Sequence, residues 1–145
     1  TTGFGALYAG VAGNYIFNFD TQLSPTAPTS DSLKLGLPRA TVRVTAGATA
    51  GPVNFTTFVN YRDGVTSSYA TPTGTAEYTS DSYITVDLRV SVDLPDIGIA
   101  SGTQLQIQVN DLFDVTPPFF PATDGIGGAY NPIGRYAALG LRKAF

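Results

Sequence analysis

Cysteine, histidine, methionine and tryptophan are all missing from these 145 residues, and charged side chains make up only 13%. Without cysteine there is no disulfide framework and no thiolate metal site, and without histidine the commonest metal ligand and acid-base group is gone. The expectation is a protein that is not an enzyme and carries no cofactor or metal. No apolar run reaches the roughly 18 residues that a transmembrane helix needs. A net charge of −3 leaves no basic footprint, so nucleic acid is not an expected partner. The chain opens Thr1-Thr2-Gly3-Phe4, with neither an initiator methionine nor a charged and apolar leader, and reads as a mature or internal piece of something longer.

Soluble domains carry about 25% charged residues, so charge is scarce here, yet the hydrophobic fraction is an ordinary 43%. Strands with lipid on one side and small polar groups on the other have this composition. The clearest register lies at residues 83–94, where Ile84, Val86, Leu88, Val90, Val92 and Leu94 alternate with Thr85, Asp87, Arg89, Ser91 and Asp93. A slip of one residue would exchange the two faces and, in a bilayer, place Arg89 near the midplane at a cost of roughly 2 to 4 kcal/mol. Residues 103–109 set Gln104, Gln106 and Gln108 against Leu105, Ile107 and Val109. Four further strands are predicted at 5–19, 38–48, 53–62 and 136–145, giving six in all, the fifth running on to 113.

Connections alternate in length. Residues 20–37, 63–82 and 114–133 are long, polar and rich in breakers, whereas 47–52 and 95–102 are short. Outer-membrane barrels have long extracellular loops and short periplasmic turns. Tyr15, Phe17, Tyr61, Tyr83, Phe113 and Tyr136 fall near strand ends, where interfacial aromatic girdles sit.

The series Asn110-Asp111-Leu112-Phe113-Asp114, Pro117-Pro118, Tyr130-Asn131-Pro132, Gly134-Arg135 and a terminal Phe145 resembles the C-terminal end of a TonB-dependent outer-membrane receptor. Asn110, Leu112, Phe113, Asp114, Gly134, Arg135 and Phe145 carry the likeness. Asp111 stands inside the family's usual Asn-Leu pair, and Lys143 takes a position where the family has an apolar residue, which would set it at headgroup level. The resemblance implies an all-β fold, an antiparallel transmembrane β-barrel segment of six strands belonging to a 22-stranded barrel. It also implies partners: outer-membrane lipid, the rest of the barrel and its plug domain, a TonB-type energy-coupling protein acting through that plug, and the barrel-insertion machinery reading the strand that ends at Phe145. Residues 1–145 would then be barrel alone, in the outer membrane of a Gram-negative bacterium, with the plug elsewhere.

Arg43, Arg62, Asp87, Arg89, Asp93, Gln104, Gln106 and Gln108 are predicted to line the lumen. They read either as a wall contacting plug and solute or as ion pairs in a wet interior. Asp87 and Asp93 lie too far apart, with no nucleophile near, for acid-base work. Phe119, Phe120 and Tyr130 are candidate ligand-loop residues: exposed aromatics there can stack on a solute, or they can pack into the barrel mouth. Asp111, Asp114 and Asp124 fit no EF-hand spacing.

Six strands leave two open edges, each unpaired group costing several kcal/mol in hydrocarbon. The chain is therefore expected either to end a longer barrel or to share strands with copies of itself as an oligomeric channel. A secreted β-sandwich adhesin, with its apolar faces meeting each other, is a third possibility.

Overall fold

The computed structural model describes residues 5–120, 125–126 and 130–144. Phe145 lies outside them, as does Asp124, and the side chain of Phe120 is likewise not described. The strands are β1 (Leu7–Tyr15), β2 (Asp20–Thr21), β3 (Ser30–Asp31), β4 (Ala40–Ala50), β5 (Val53–Arg62), β6 (Thr66–Thr71), β7 (Gly74–Thr79), β8 (Tyr83–Asp93), β9 (Thr103–Asn110), β10 (Phe119–Phe120), β11 (Gly125–Ile126) and β12 (Tyr136–Lys143). Six of them form one antiparallel sheet in the order β1-β4-β5-β8-β9-β12, so every expected strand is present and neighbours in sequence are neighbours in the sheet. The sheet is open: β1 and β12 are its two edges, and no closed barrel forms among the described residues.

The period-two pattern sets the register. Val11, Val44, Val59 and Val86 are successive Cα partners across four strands. The neighbouring row runs Ala9, Ala46, Thr57, Leu88, Val109 and Ala137 across all six. A third row runs Leu7, Ala48, Phe55, Val90, Ile107 and Leu139. All three rows have the same strand parity and so share one face, which is apolar except for Thr57. The opposite face carries Thr41, Arg43, Thr45, Asn54, Thr56, Asn60, Asp87, Arg89 and the three glutamines.

At one end the turns are tight. β5 keeps its expected bounds while β4 is displaced to Ala40–Ala50, two residues past its expected end, and the two are joined by Gly51-Pro52 alone, with Gly51 at φ 55°, the sign a type II′ hairpin asks of its first central residue. Between β8 and β9, Asp96 Oδ1 accepts hydrogen bonds from Ser101 Oγ (3.0 Å) and Gly102 N (3.1 Å). At the other end the connections are long and build structure of their own. The segment expected as a loop at 63–82 is the hairpin β6–β7, and β2–β3 and β10–β11 are short two-stranded ribbons. β1 stops at Tyr15, four residues short of its expected end, and Phe19 instead accepts from Ser32 N through its carbonyl.

Among the described residues no second layer covers the sheet. Among the described residues the buried hydrophobic side chains are Leu33, Val65, Tyr83 and Tyr130, and none lies on the apolar face. That face stands open: Val11 is 74% exposed, Leu139 74% and, at the sheet's middle, Val44 40%. A contiguous apolar patch of this extent marks a surface that meets another apolar phase or another chain. No helix among the described residues is long and apolar enough to cross a membrane, which says nothing about crossing by strands.

Candidate functional site

The polar face holds one side-chain network that crosses three strands and ends on the backbone just past a fourth. Arg43 Nε on β4 donates to Asn60 Oδ1 on β5 at 2.7 Å. Asn60 Nδ2 donates onward to Asp87 Oδ2 (2.9 Å) and Thr85 Oγ1 (3.2 Å) on β8. Asp87 Oδ1 accepts from the backbone N–H of Asp111, just past β9, at 3.0 Å. Lower on the sheet Arg89 donates through Nε and Nη2 to Gln108 Oε1 at 3.2 and 3.0 Å, and Gln104 Nε2 donates to Asp93 Oδ1 at 2.8 Å. Gln106 stands in register with Ser91 and Gly140. The eight residues expected to line one wall thus do share one face.

Of the two readings of these residues, direct ion pairing is not seen among the described residues of this face. Asp87, Arg89 and Asp93 do not form an alternating row of ion pairs: among the described residues the ion pair is Lys34–Glu77, 3.1 Å apart and out in the loops. On the sheet, amide side chains stand between the charges and take the hydrogen bonds. Because an amide donates and accepts at once, it can link an arginine to an aspartate one strand further away than a direct contact would reach.

Phe58 breaks the polar parity, and the arginines explain it. Arg43 Cζ lies 5.2 Å from its ring centroid and Arg89 Cζ 5.3 Å, so an arginine from each flanking strand rests on the ring. Tyr8 makes a second cross-strand device. Its ring lies over Gly47, where a Cβ would meet Tyr8 Cζ at 2.2 Å, and its hydroxyl reaches Thr56 Oγ1 and Asn54 Oδ1. An aromatic ring covering a strand glycine on a neighbouring chain segment restores packing that the glycine lacks.

Of the residues on which the sequence resemblance rests, Asn110, Leu112, Phe113, Asp114, Gly134 and Arg135 gather at the β9–β12 junction, and Phe145 lies outside the described residues. Asp111 and Asp114 both take the left-handed conformation, at φ 50° and 54°, which ends β9 at Asn110 instead of the expected 113. Asp111 Oδ1 accepts from Val115 N (3.1 Å), and Asp114 Oδ1 from Arg135 N (2.8 Å). Gly134, at φ 70°, passes so close to Asp114 Oδ1 that a Cβ would stand 2.8 Å from it. Arg135 Nη1 lies 3.4 Å from the carbonyl of Leu112. Asn110 accepts from Gln108, and Phe113 is exposed. The Asp and Gly-Arg halves of the series are two sides of one clasp between the last two sheet strands.

The loop aromatics separate. Phe119 is exposed and meets Tyr78 edge-on at 6.1 Å between centroids. Tyr130 is only 5% exposed: its ring packs edge-on against Tyr83 at 5.3 Å, and its hydroxyl lies 3.0 Å from Ser80 Oγ. Tyr130 is therefore a packing residue that ties the third long loop to the second. Tyr83 and Tyr136 lie on the polar parity, in register with Arg62 and Asn110, so they do not belong to an outward aromatic girdle; Tyr15 and Tyr61 do share the apolar parity. Below Tyr130 a hollow of about 510 Å³ opens on the polar face, lined by Arg43, Asn60, Arg62, Asp87, Asn110 and Tyr136 among others. No group of three or more acidic side chains close enough to hold a metal occurs among the described residues.

No known family model, curated protein or solved structure matches the chain.

Proposed function

We propose that this chain forms the last six strands and three outer loops of a TonB-dependent outer-membrane receptor, which binds a scarce or large solute and imports it. The observation that carries the reading is the sheet itself, with one apolar face open along its length, one hydrogen-bonded polar face, long loops at one end and tight turns at the other. A membrane barrel needs that division, lipid outside and a wet interior within. The clasp built from Asp114, Gly134 and Arg135 gives the sequence likeness a structural reason. In this reading the polar face lines the solute path, and the energised step belongs to a plug that these residues do not include.

The test is intact mass in mild detergent, read beside heated and unheated electrophoresis. A polypeptide several times 15.2 kDa with heat-dependent mobility supports the receptor. A second reading rests on the edges: β1 and β12 run in opposite directions, so β12 of one copy can pair with β1 of the next. A 15.2 kDa chain in a heat-labile oligomer would select that shared-strand barrel and end the single-chain reading. A monomer soluble without detergent would end both in favour of a secreted sandwich.

A further inference from the structure

The charges on the polar face are out of proportion to the chain. Arg43, Arg62, Arg89 and Arg142 stand there against Asp87 and Asp93, although the chain as a whole is at −3. Arg43 and Arg89 are also oriented without touching a carboxylate: Asp87, the cross-strand partner of Phe58, hydrogen-bonds to Asn60 and reaches Arg43 only through that amide. Each is held by a neutral amide oxygen, of Asn60 and Gln108, where a carboxylate would have quenched it. Each also rests on Phe58, from β4 on one side and β8 on the other. A ring and an amide cost a guanidinium its freedom and leave its charge intact. Arg43 uses one N–H in these bonds and Arg89 two, of the five each carries, so several donors remain on each side of one apolar residue. Two guanidiniums and the single Asp87 carboxylate leave the surroundings of the ring net positive, and a bound anion offsets that excess. Fixed guanidiniums with spare N–H pairs suit carboxylates, which they meet with two parallel hydrogen bonds.

We propose that Arg43, Phe58 and Arg89 form a binding site for a small organic anion bearing two carboxylates, one for each guanidinium. Asn60 and Gln108 are positioning residues that hold the arginines ready, which lowers the ordering cost of binding. The site names the charge class of solute that the proposed wall takes and in that sense rests on the transport reading, although its binding can be tested without transport.

The experiment follows the arginine Nε–Hε signals of the 15N-labelled protein in mild detergent during titration with succinate, against chloride at equal ionic strength. The signals of Arg43 and Arg89 should move together and saturate in the millimolar range with succinate, and should not do so with chloride. Arg43→Gln and Arg89→Gln should each weaken succinate tenfold or more, and Phe58→Leu, which keeps the bulk and removes the ring, should weaken it severalfold. Equal response to chloride, or no saturable response, would overturn the site. The wild-type comparison decides this even if a variant fails to fold. A water-soluble monomer whose two arginines still bind succinate would end the transport reading and leave the site standing. A heat-modifiable barrel component whose arginines ignore succinate would do the reverse.

Discussion

Placing an arginine at Val44 separates lipid from every other covering of the apolar face. Val44 lies at the middle of β4, in register with Val11 and Val59, and is 40% exposed. Were that face in water, Val44→Arg would be a surface change worth about 0.5 kcal/mol or less in either direction. In a bilayer it should cost roughly 2 to 4 kcal/mol, because the charge must be held at or near the midplane. That is roughly a 30- to 1,000-fold loss in the folding equilibrium. Thr45→Arg, one residue on and facing the polar side, should stay within about 0.5 kcal/mol. Ala50→Arg shares the parity of Val44 but sits beside the Gly51-Pro52 turn, where the bilayer cost falls to about 0 to 1 kcal/mol. The assay is reversible denaturant unfolding in phospholipid vesicles, followed by strand circular dichroism and checked by electrophoretic mobility. The gradient with depth is the decisive quantity. A protein layer packed on the face would also penalise Val44→Arg, but its penalties would follow local packing and not distance from the turn. Equal costs at Val44 and Thr45 would refute the lipid assignment, and a cost at Ala50 as large as at Val44 would refute the orientation.

Three other changes address the devices on the polar face and in the loops. Gly47→Ala should destabilise by about 1 to 3 kcal/mol through overpacking, since the new methyl meets Tyr8 and, at 2.6 Å, the carbonyl of Phe55; adding Tyr8→Ala should relieve only part of this, as a double-mutant cycle would measure. Asp114→Ala removes the acceptor of Arg135 N and puts a Cβ residue without a local hydrogen bond at φ 54°, so a loss of about 1 to 3 kcal/mol in unfolding free energy, read from denaturant unfolding, is expected, with Asp114→Asn milder. Tyr130→Phe keeps the ring on Tyr83 and loses the contact with Ser80, which should cost about 0.5 to 1.5 kcal/mol and appear as faster amide exchange at Val65, whose N–H donates to Ser80 Oγ.

The strands were legible because alternation is a local property. Ile84 to Leu94 states its register without reference to any other residue, and the small residues of β1 and β4 fall into rows once neighbours pair in sequence order. The side-chain chemistry of the polar face was less legible, because it depends on which rows meet. Asn60 has no signal of its own, and becomes the link between Arg43 and Asp87 only when β5 lies between β4 and β8. Phe58 looks like a fault in the alternation until two arginines are placed on it. Strand ends were misjudged for a similar reason: the chain turns where Asp111 and Asp114 adopt positive φ, and two aspartates on either side of Leu112-Phe113 do not announce that conformation. Tyr130 belongs to the same class, since its burial is decided by Ser80 and Tyr83, about 50 residues upstream.

The two edges explain why such a sheet does not serve as a whole membrane object. With strands about 4.8 Å apart and rising about 3.4 Å per residue, the six sheet strands of 8 to 11 residues present on the order of 900 Å² on one face. Removing that area from water is worth roughly 23 kcal/mol at 25 cal/mol/Å². Along an edge strand alternate residues point their N–H and C=O outward, about nine groups for an edge like β1, and each costs several kcal/mol if left bare in hydrocarbon. Two bare edges therefore outweigh the gain from the face, and the sheet enters lipid only when both are paired. The edges themselves are consistent with pairing. Water-facing edges are defended by proline, inward charge or lysine; β1 has none of these, and β12 carries charge only at Arg142 and Lys143, beside the turns. Since β1 and β12 run antiparallel, an all-antiparallel barrel containing this sheet would need an even number of further strands between them, whether from a longer chain or from copies of this one. Undefended edges on a sheet with an open apolar face are what a portion of a closed barrel requires, and a free-standing soluble sheet with such edges would associate through them.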